Sequence, residues 1–269
     1  MRIGSRDFAT TGHTYIMGIL NVTPDSFSDG GKFNQIDAAL KHAEEMIRDG
    51  ADVIDIGGES TRPGYTKISD EEEIDRVVPV IEAVKKEFEI PISVDTYKSR
   101  VAEAAAQAGA DLINDIWGLK YDPHMAEVIA KSGLACCLMH NRDNTEYRNF
   151  MEDVKQDLRE TIALAKAAKI ADDKIILDPG VGFAKSYENN LEVIRRLKEF
   201  NELKYPVLLG TSRKSVIGLT LDLPAAERVE GTIVTTVMAV EAGCMFVRVH
   251  DVKENHRAIQ MAEAILDRK

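Results

Sequence analysis

Polar side chains that could bind an anion follow several short apolar runs of this sequence. The cationic ones are Arg62, Arg213, Lys214 and Arg248, with His250 beside them. Arginine offers a planar fork to phosphate oxygens and lysine a point charge, so this set predicts a phosphate or diphosphate ligand. The acceptors and amides at corresponding positions are Asp95, Asn114 and Asp178. A carboxylate can accept two parallel hydrogen bonds, so we expect the other end of the ligand to carry ring N–H and NH₂ donors.

The elements that must position these groups alternate between short apolar runs and longer helical stretches. The predicted strands are Tyr15–Leu20, Val53–Ile56, Pro91–Val94, Leu112–Ile113, Leu134–Met139, Ile175–Leu177, Pro206–Leu209 and Met245–Val249. The predicted helices are 36–48, 70–88, 98–107, 123–131, 152–169, 188–200, 225–242 and 253–267. Ser69 is the candidate N-cap of the second helix, and Gly109, Gly133 and Gly243 are candidate C-terminal caps. Strands that are almost wholly apolar and alternate with helices are typical of a parallel sheet.

Eight such units predict a (β/α)₈ TIM barrel, with residues 2–14 forming a short N-terminal hairpin or plug. We expect residues 1–269 to form a single domain. In a barrel the active site lies at the carboxyl ends of the strands, so the polar groups above would meet at one rim. A doubly wound open sheet is the main alternative, although no G-x-G-x-x-G motif follows the first strand.

The first apolar run ends at Asn21 and is followed by a dozen residues rich in Ser, Thr, Asp, Gly and Pro. Long loops without regular structure in compact domains are usually functional or disordered. This one contains a single aromatic residue, Phe27. It is therefore a candidate lid over the ligand.

Composition excludes several classes of protein. The net charge of −11 argues against nucleic acid or an anionic membrane as a partner. The three cysteines, Cys136, Cys137 and Cys244, form no C-x-x-C motif, so neither a disulfide framework nor a thiolate zinc site is predicted. No signal peptide is visible, and no apolar run has the roughly 20 residues that span a bilayer. We expect a cytoplasmic protein with Cys136 and Cys137 in the core.

Seven segments resemble, in order, the dihydropteroate synthase family. They are Gly18–Gly31, Asp55–Gly64, Ser93–Asp95, Asn114–Asp115, Asp178–Phe183, Gly210–Ser215 and Arg248–His250. The resemblance implies a (β/α)₈ barrel that condenses 6-hydroxymethyl-7,8-dihydropterin diphosphate with 4-aminobenzoate to give 7,8-dihydropteroate and diphosphate. It also implies Mg²⁺ as cofactor, a homodimer and sulfonamides as inhibitors.

The same resemblance implies a role for each matching position. Those that hold the pterin are Asp95, Asn114, Asp178 and Lys214. Those near the diphosphate are Asn21, Thr61, Arg62, Arg248 and His250, with Asn21 also the Mg²⁺ ligand. Those near the aminobenzoate are Phe27, Thr61, Phe183 and Ser212. The catalytic residues would be Asp95, Lys214 and Arg248, and residues 22–33 and 59–67 would form two closing loops. Residues 141–150 receive no role, and His140 and Glu59 are expected to be structural.

The residues also indicate how the reaction would proceed. No convincing Ser-His-Asp or Cys-His set is present, and an aryl amine needs no strong base. We therefore predict a dissociative displacement of diphosphate without a covalent intermediate. Two alternatives remain: a non-catalytic pterin-binding homologue, and a barrel that passes the methyl group of methyltetrahydrofolate to a corrinoid. The intact Asn21 argues against the first, and the Arg248 and His250 pair against the second.

Overall fold

The computed structural model describes residues 1–23, 32–60 and 66–267, and for residues 32–34 the backbone only. Its eight-stranded sheet consists of β3 (Tyr15–Asn21), β4 (Val53–Gly57), β5 (Ile92–Asp95), β6 (Leu112–Asp115), β7 (Ala135–Met139), β8 (Ile175–Asp178), β9 (Leu208–Leu209) and β10 (Phe246–Val249). Two short strands, β1 (Arg2–Ile3) and β2 (Arg6–Asp7), pair antiparallel ahead of it. Each central strand lies within one or two residues of its predicted bounds, and the hairpin is confirmed.

The sheet is parallel and closes on itself. Its strand order is β8-β7-β6-β5-β4-β3-β10-β9. Leu177 at the end of β8 bridges in parallel to Val207, and its amide donates to Pro206 O at 2.9 Å, which joins the two outer strands. Neighbours in sequence are therefore neighbours around a ring, which is a (β/α)₈ barrel. The doubly wound alternative is excluded because its strand order reverses at a switch point.

The helices surround the barrel. They are α1 (Lys32–Asp49), α2 (Asp70–Glu87), α3 (Ser99–Ala108), α4 (Met125–Ser132), α5 (Phe150–Ala167), α6 (Tyr187–Arg195), α7 (Ser215–Leu221), α8 (Val229–Ala242) and α9 (Val252–Ile265). Within the described residues, none is long and apolar enough to cross a membrane.

Three helix predictions need correction. Helix α1 begins at Lys32 rather than at residue 36, so the last two residues of the predicted 22–33 loop are helical. The predicted 188–200 helix is α-helical only to Arg195 and continues as a 3₁₀ segment over Leu197–Leu203. Helix α7 is not among the predicted helices, and its first residue, Ser215, is the last residue of the Gly210–Ser215 segment.

The predicted helix caps are confirmed. The Ser69 side chain accepts a hydrogen bond from the amide of Glu72 at 3.1 Å, which satisfies an otherwise unpaired donor at the start of α2. Gly109, Gly133 and Gly243 end α3, α4 and α8 in the left-handed conformation.

The barrel interior changes from apolar to polar along its axis. Its lower layer is a cluster that includes Met17, Val53, Leu112, Ile176 and Phe246, covered by Ile3 and Phe8 from the N-terminal segment. Side chains of a strand alternate between two faces, so the residue two positions further along points into the same interior. Those residues are Ile19, Asp55, Asn114, Asp178 and Arg248. The alternation thus delivers polar groups to the carboxyl end of the barrel, above an apolar floor.

Candidate active site

Arg248 of β10 lies between two carboxylates inside the upper barrel. Its Nε donates to Asp55 Oδ2 and its Nη2 to Asp95 Oδ2, each at 2.6 Å. The amide of Asn114 also reaches Asp55 Oδ2, at 3.4 Å. Asp55 is fully buried. Burial alone would lower the pKa of Arg248, but the two carboxylates outweigh that effect and raise it above its ordinary value. This pairing fixes the guanidinium in one place, while its Nη1 makes no hydrogen bond to the described residues.

Two buried carboxylate oxygens beside Arg248 are unpaired. Asp55 Oδ1 and Asp95 Oδ1 have no hydrogen-bond partner among the residues that the structure describes. Burial raises the pKa of Asp95 to about 7, helped by the neighbouring carboxylates of Asp55 and Glu73 and opposed by Arg248. A buried acceptor without a donor is costly, so these oxygens are suited to a ligand that brings its own donors.

Asp178 and Lys214 face each other across Gly210. A methyl group added to Gly210 would lie 3.6 Å from Asp178 Oδ2, 3.9 Å from Lys214 Nζ and 3.9 Å from Arg248 Cβ. The absence of a side chain at Gly210 therefore leaves a space that is bordered by the Asp178 carboxylate, the Lys214 ammonium and the Cβ of Arg248. Burial lowers the pKa of Lys214 to about 8, with Asp178 and Asp95 opposing that shift, and burial raises the pKa of Asp178.

The loop after β8 carries an aromatic wall of the same space. Lys214 Nζ donates to Val181 O and lies 4.7 Å from the centre of the Phe183 ring. Phe183 also packs against a small cluster formed by Tyr97, Ile116 and Met139. The ring is thus held beside the space that Lys214 borders.

Ser212 and His250 form a pair at the outer rim. Ser212 Oγ accepts the backbone N–H of His250 at 3.1 Å and lies 2.9 Å from His250 Nδ1. The hydroxyl can donate to Nδ1 of one imidazole tautomer or accept from the Nδ1–H of the other, so the contact is satisfied in both. Arg213 does not join this rim, contrary to its inclusion among the predicted cations. Its guanidinium pairs with Asp251 at 2.5 and 3.0 Å instead.

Asn21 ends β3 near the carboxylates. A methyl group on Gly57 would lie 3.8 Å from Asn21 Oδ1 and 3.7 Å from Asp95 Oδ2, so the two side chains border the same strand end. Of the other predicted site residues, Phe27, Thr61 and Arg62 lie outside the described residues.

Glu59 braces the second loop from within, as the sequence predicted. Its Oε2 accepts from the amide of Ile68 at 2.9 Å and from Lys98 Nζ at 2.8 Å, and the Tyr97 hydroxyl donates to its Oε1. Lys98 also pairs with Glu73 at 2.7 Å. Glu59 therefore connects both ends of the 59–67 segment to the barrel wall rather than to a ligand.

Sequence reasoning missed Asp55 as a site residue. The sequence indicates Asp55 only as part of the apolar run Val53–Ile56 and of the family segment Asp55–Gly64. A signal was present, because an acidic residue at an inward position of Val53–Gly57 must find a buried partner. Its partner, Arg248, lies far along the chain, so the pair itself could not be seen from spacing.

Comparisons with known proteins agree with this architecture. The model of the family "pterin binding enzyme" matches residues 17–250. The dihydropteroate synthase of Clostridium beijerinckii is 62% identical over 269 residues, which is 100% of both chains. A dihydropteroate synthase structure from Clostridium difficile, in the presence of pteroic acid, is 52% identical with a TM-score of 0.93 and 100% coverage of both chains. That of Xanthomonas albilineans, with 4-aminobenzoic acid, is 40% identical with a TM-score of 0.90, covering 94% of this chain and 93% of that one.

This chain therefore belongs to the pterin-binding enzymes. Its full-length relatives place it within that family among the dihydropteroate synthases, which are transferases.

Proposed function

We propose that this enzyme condenses 6-hydroxymethyl-7,8-dihydropterin diphosphate with 4-aminobenzoate, giving 7,8-dihydropteroate and diphosphate. One observation carries the proposal: Asp178, Lys214 and Arg248 surround Gly210 in the upper barrel, and Arg248 pairs with Asp95, whose Oδ1 is buried and unpaired among the described residues. A pterin edge bearing N–H and NH₂ donors would satisfy such an oxygen. The names of the full-length relatives support the same reaction.

In this proposal the pterin ring lies in the space above Gly210. Asp178 accepts hydrogen bonds from the edge of the ring, and the Asn114 amide can donate or accept there. Lys214 donates to the oxo group and to a ring nitrogen. Phe183 borders the approach of the aminobenzoate together with Ser212. Arg248 is held by Asp55 and Asp95 with its Nη1 available to a diphosphate oxygen. His250 follows two residues later, just past the end of β10.

The reaction we propose is a dissociative displacement. The carbon–oxygen bond between the pterin methylene and the diphosphate breaks, and the electron pair leaves with the diphosphate. The remaining cation is delocalised into the dihydropterin ring, beside Asp95 and Asp178. Burial raises the pKa of both carboxyl groups, and the developing cation favours their ionised form, which stabilises it in turn. The amine nitrogen of 4-aminobenzoate then bonds to the methylene carbon and releases one proton. Within the described residues, no cysteine is placed to act as a nucleophile, since all three are buried.

The residues at the rim fit a Mg²⁺ ion that takes most of its ligands from the substrate. The described residues contain no group of three or more His, Cys, Asp or Glu side chains that could hold a metal. Mg²⁺ often keeps several waters and binds through one or two protein oxygens plus phosphate oxygens, and Asn21 Oδ1 could supply one. When bound there it would act as a Lewis acid on the diphosphate. The role of this chain is then to orient the leaving group with Asn21, Arg248 and His250.

We also propose a cytoplasmic homodimer. Leu219 and Leu221 of α7 and Val234 of α8 are exposed at 67%, 45% and 60%, beside a groove between α6, α7 and α8. Contiguous exposed apolar side chains of this kind are typical of a protein interface. Sedimentation of the protein and of Val234→Asp tests this: a dimer that becomes a monomer supports it, and a monomer in both rejects it.

Diphosphate release tests the proposed reaction. The protein is mixed with Mg²⁺, the pterin diphosphate and 4-aminobenzoate, and released diphosphate is measured against mixtures that lack one substrate. Release that requires both substrates is expected. Binding of pteroic acid without any release would favour a non-catalytic pterin-binding protein. Trapping of a covalent enzyme–pterin adduct would reject the dissociative route.

A further inference from the structure

A buried chain of polar side chains lies next to the site and has no role in the mechanism above. Lys185, in the loop after β8, makes three contacts through its Nζ: to Gly180 O at 2.9 Å, to Phe183 O at 3.0 Å and to His140 Nδ1 at 2.8 Å. Burial lowers the pKa of Lys185 to about 7, with the carboxylate of Asp178 opposing that shift. In the ammonium form its three hydrogens would all be used by these three partners.

The hydrogen positions of His140 follow from its partners. Its Nε2 lies 2.9 Å from Asp157 Oδ2, which also accepts from Arg142 Nε at 2.5 Å. These donors hold the pKa of Asp157 well below its ordinary value against burial, so the carboxylate is an acceptor only. His140 Nε2 must then carry a hydrogen, and Nδ1 is left to accept from Lys185. Burial lowers the pKa of His140 to about 4, which agrees with a neutral ring.

The turn that Lys185 holds connects two groups of the proposed site. Gly180 donates to Asp178 Oδ1 at 2.7 Å, and Phe183 lies three residues further along. Gly180 and Gly182 have φ of 71° and 86°, in the left-handed region that other residues enter at a cost. The Phe183 amide donates to Gly180 O at 3.1 Å, which closes the turn, and Lys185 Nζ donates to the carbonyl oxygens of both residues.

The loop after β7 supports the same turn from outside. The Tyr147 hydroxyl donates to Ala184 O at 2.8 Å, and the Arg142 guanidinium lies 4.5 Å from the centre of the Tyr147 ring. Residues 141–150, for which the sequence suggested no role, thus contact the loop after β8 directly through Tyr147. They also reach it indirectly through Arg142, which pairs with the Asp157 carboxylate that holds His140.

We propose that Lys185 is a positioning residue of the reaction: anchored on the neutral imidazole of His140, its ammonium sets the Gly180–Phe183 turn and hence the places of Asp178 and Phe183. This inference rests on the proposed function, in which Asp178 faces the pterin ring and Phe183 the aminobenzoate. Lys185 itself touches neither substrate, so its loss acts through the turn.

Bisubstrate kinetics of Lys185→Met and Lys185→Arg test the inference. Methionine removes all three donors at similar length, and arginine keeps the charge. We expect Lys185→Met to raise the KM for 4-aminobenzoate about tenfold or more, since displacement of a positioning group by about 1 Å can cost 10²-fold. Lys185→Arg should recover part of that loss. Lys131 is an exposed lysine on α4, so Lys131→Met is the matched control and should not change the KM for 4-aminobenzoate.

His140→Leu tests whether the two residues act as one unit. It should raise the same KM, and the Lys185→Met, His140→Leu double variant should be no worse than the more impaired single one. Multiplicative losses would overturn the inference. So would a Lys185→Met KM within twofold of that of the unaltered protein, provided that Phe183→Ala raises the same KM.

Two further measurements separate this inference from the proposed function. If Phe183→Ala raises the aminobenzoate KM and Lys185→Met does not, only the inference fails. If Phe183→Ala has no effect, the proposed role of Phe183 fails, and a crystal structure of Lys185→Met then decides: a displaced Gly180–Phe183 turn supports the inference and an unchanged turn rejects it. If Lys185→Met does not fold, the same comparisons are made with Lys185→Arg and His140→Leu.

Discussion

Arg248 Nη2 donates to Asp95 Oδ2 at 2.6 Å, joining the last strand of the barrel to its third. The same guanidinium also reaches Asp55, so one arginine pairs with two buried carboxylates from neighbouring strands β4 and β5. The single positive charge offsets one of the two carboxylate charges, which would be costly to bury without a partner. It also places the arginine at the boundary between the apolar floor and the open rim.

Arg248→Leu should destabilise the fold as well as reduce activity. Removing one partner of a buried ion pair typically costs about 3–5 kcal/mol, because the other charge stays buried. We expect the free energy of unfolding in urea to fall by about that much. Adding Asp55→Asn should recover part of the loss, since it removes the stranded charge. A fall below about 1 kcal/mol would show that the pair is not buried as the structure has it.

Lys214 should give the reaction an alkaline limb. Its pKa is lowered to about 8, so the ammonium loses its proton as the pH rises through that value. We expect kcat/KM for the pterin diphosphate to fall there, since the charged donor is lost. Lys214→Arg stays charged, so its lower activity should show no such limb. An identical limb in Lys214→Arg would assign it to another group.

The lowered pKa of Lys214 has the opposite consequence for stability, which should rise with pH where activity falls. Its ordinary pKa is 10.5, so between about pH 8 and 10.5 the unfolded chain binds more protons at this side chain than the folded one. Stability therefore rises with pH across that range through this group. The pH dependence of unfolding should lose that contribution in Lys214→Met, and an unchanged difference between pH 8 and 10 would contradict the assigned burial.

Gly210→Ala should close the proposed pterin space without harming the fold. The added methyl would meet its neighbours at 3.6–3.9 Å, which is ordinary contact distance, and Gly210 is not among the positive-φ glycines. We expect an unfolding free energy within about 0.5 kcal/mol of the unaltered protein. Calorimetry should show an affinity for pteroic acid at least about tenfold weaker, equal to about 1.4 kcal/mol. Unchanged affinity would place the ring elsewhere.

Asn21→Ala should raise the Mg²⁺ concentration needed for half-maximal diphosphate release by at least about tenfold. Chelation of divalent cations should abolish release by the unaltered protein, and added Mg²⁺ should restore it. Asn201→Ala provides a matched control, because its side chain bonds Ala242 O on the outer surface. Equal Mg²⁺ requirements in the two variants would remove Asn21 from the metal site.

The barrel could be predicted because its information is local. Each central strand is a short apolar run buried on both faces, and each helix repeats its apolar face at fixed spacing. Helix α7 could not be predicted in this way, because it has only seven residues and begins at the last residue of the Gly210–Ser215 segment. Its seven residues are too few to show a helical repeat of apolar positions.

The candidate site could be predicted only in part. Asp95, Asn114 and Asp178 lie at the carboxyl ends of strands and Lys214 in the turn after β9, so barrel topology alone brings them together. The pairing of Arg248 with Asp55 and that of Lys185 with His140 depend on where side chains point across the barrel. Such contacts join residues 193 and 45 positions apart, and no local pattern specifies them.

A crystal structure with the pterin diphosphate bound tests the central claim most directly. The account predicts the ring above Gly210, with its donor edge on Asp178 and Asp95 and its opposite edge near Lys214. It also predicts diphosphate oxygens beside Arg248 and His250. A ring bound outside the barrel rim, or one whose edge leaves Asp95 and Asp178 without a donor, would contradict the account.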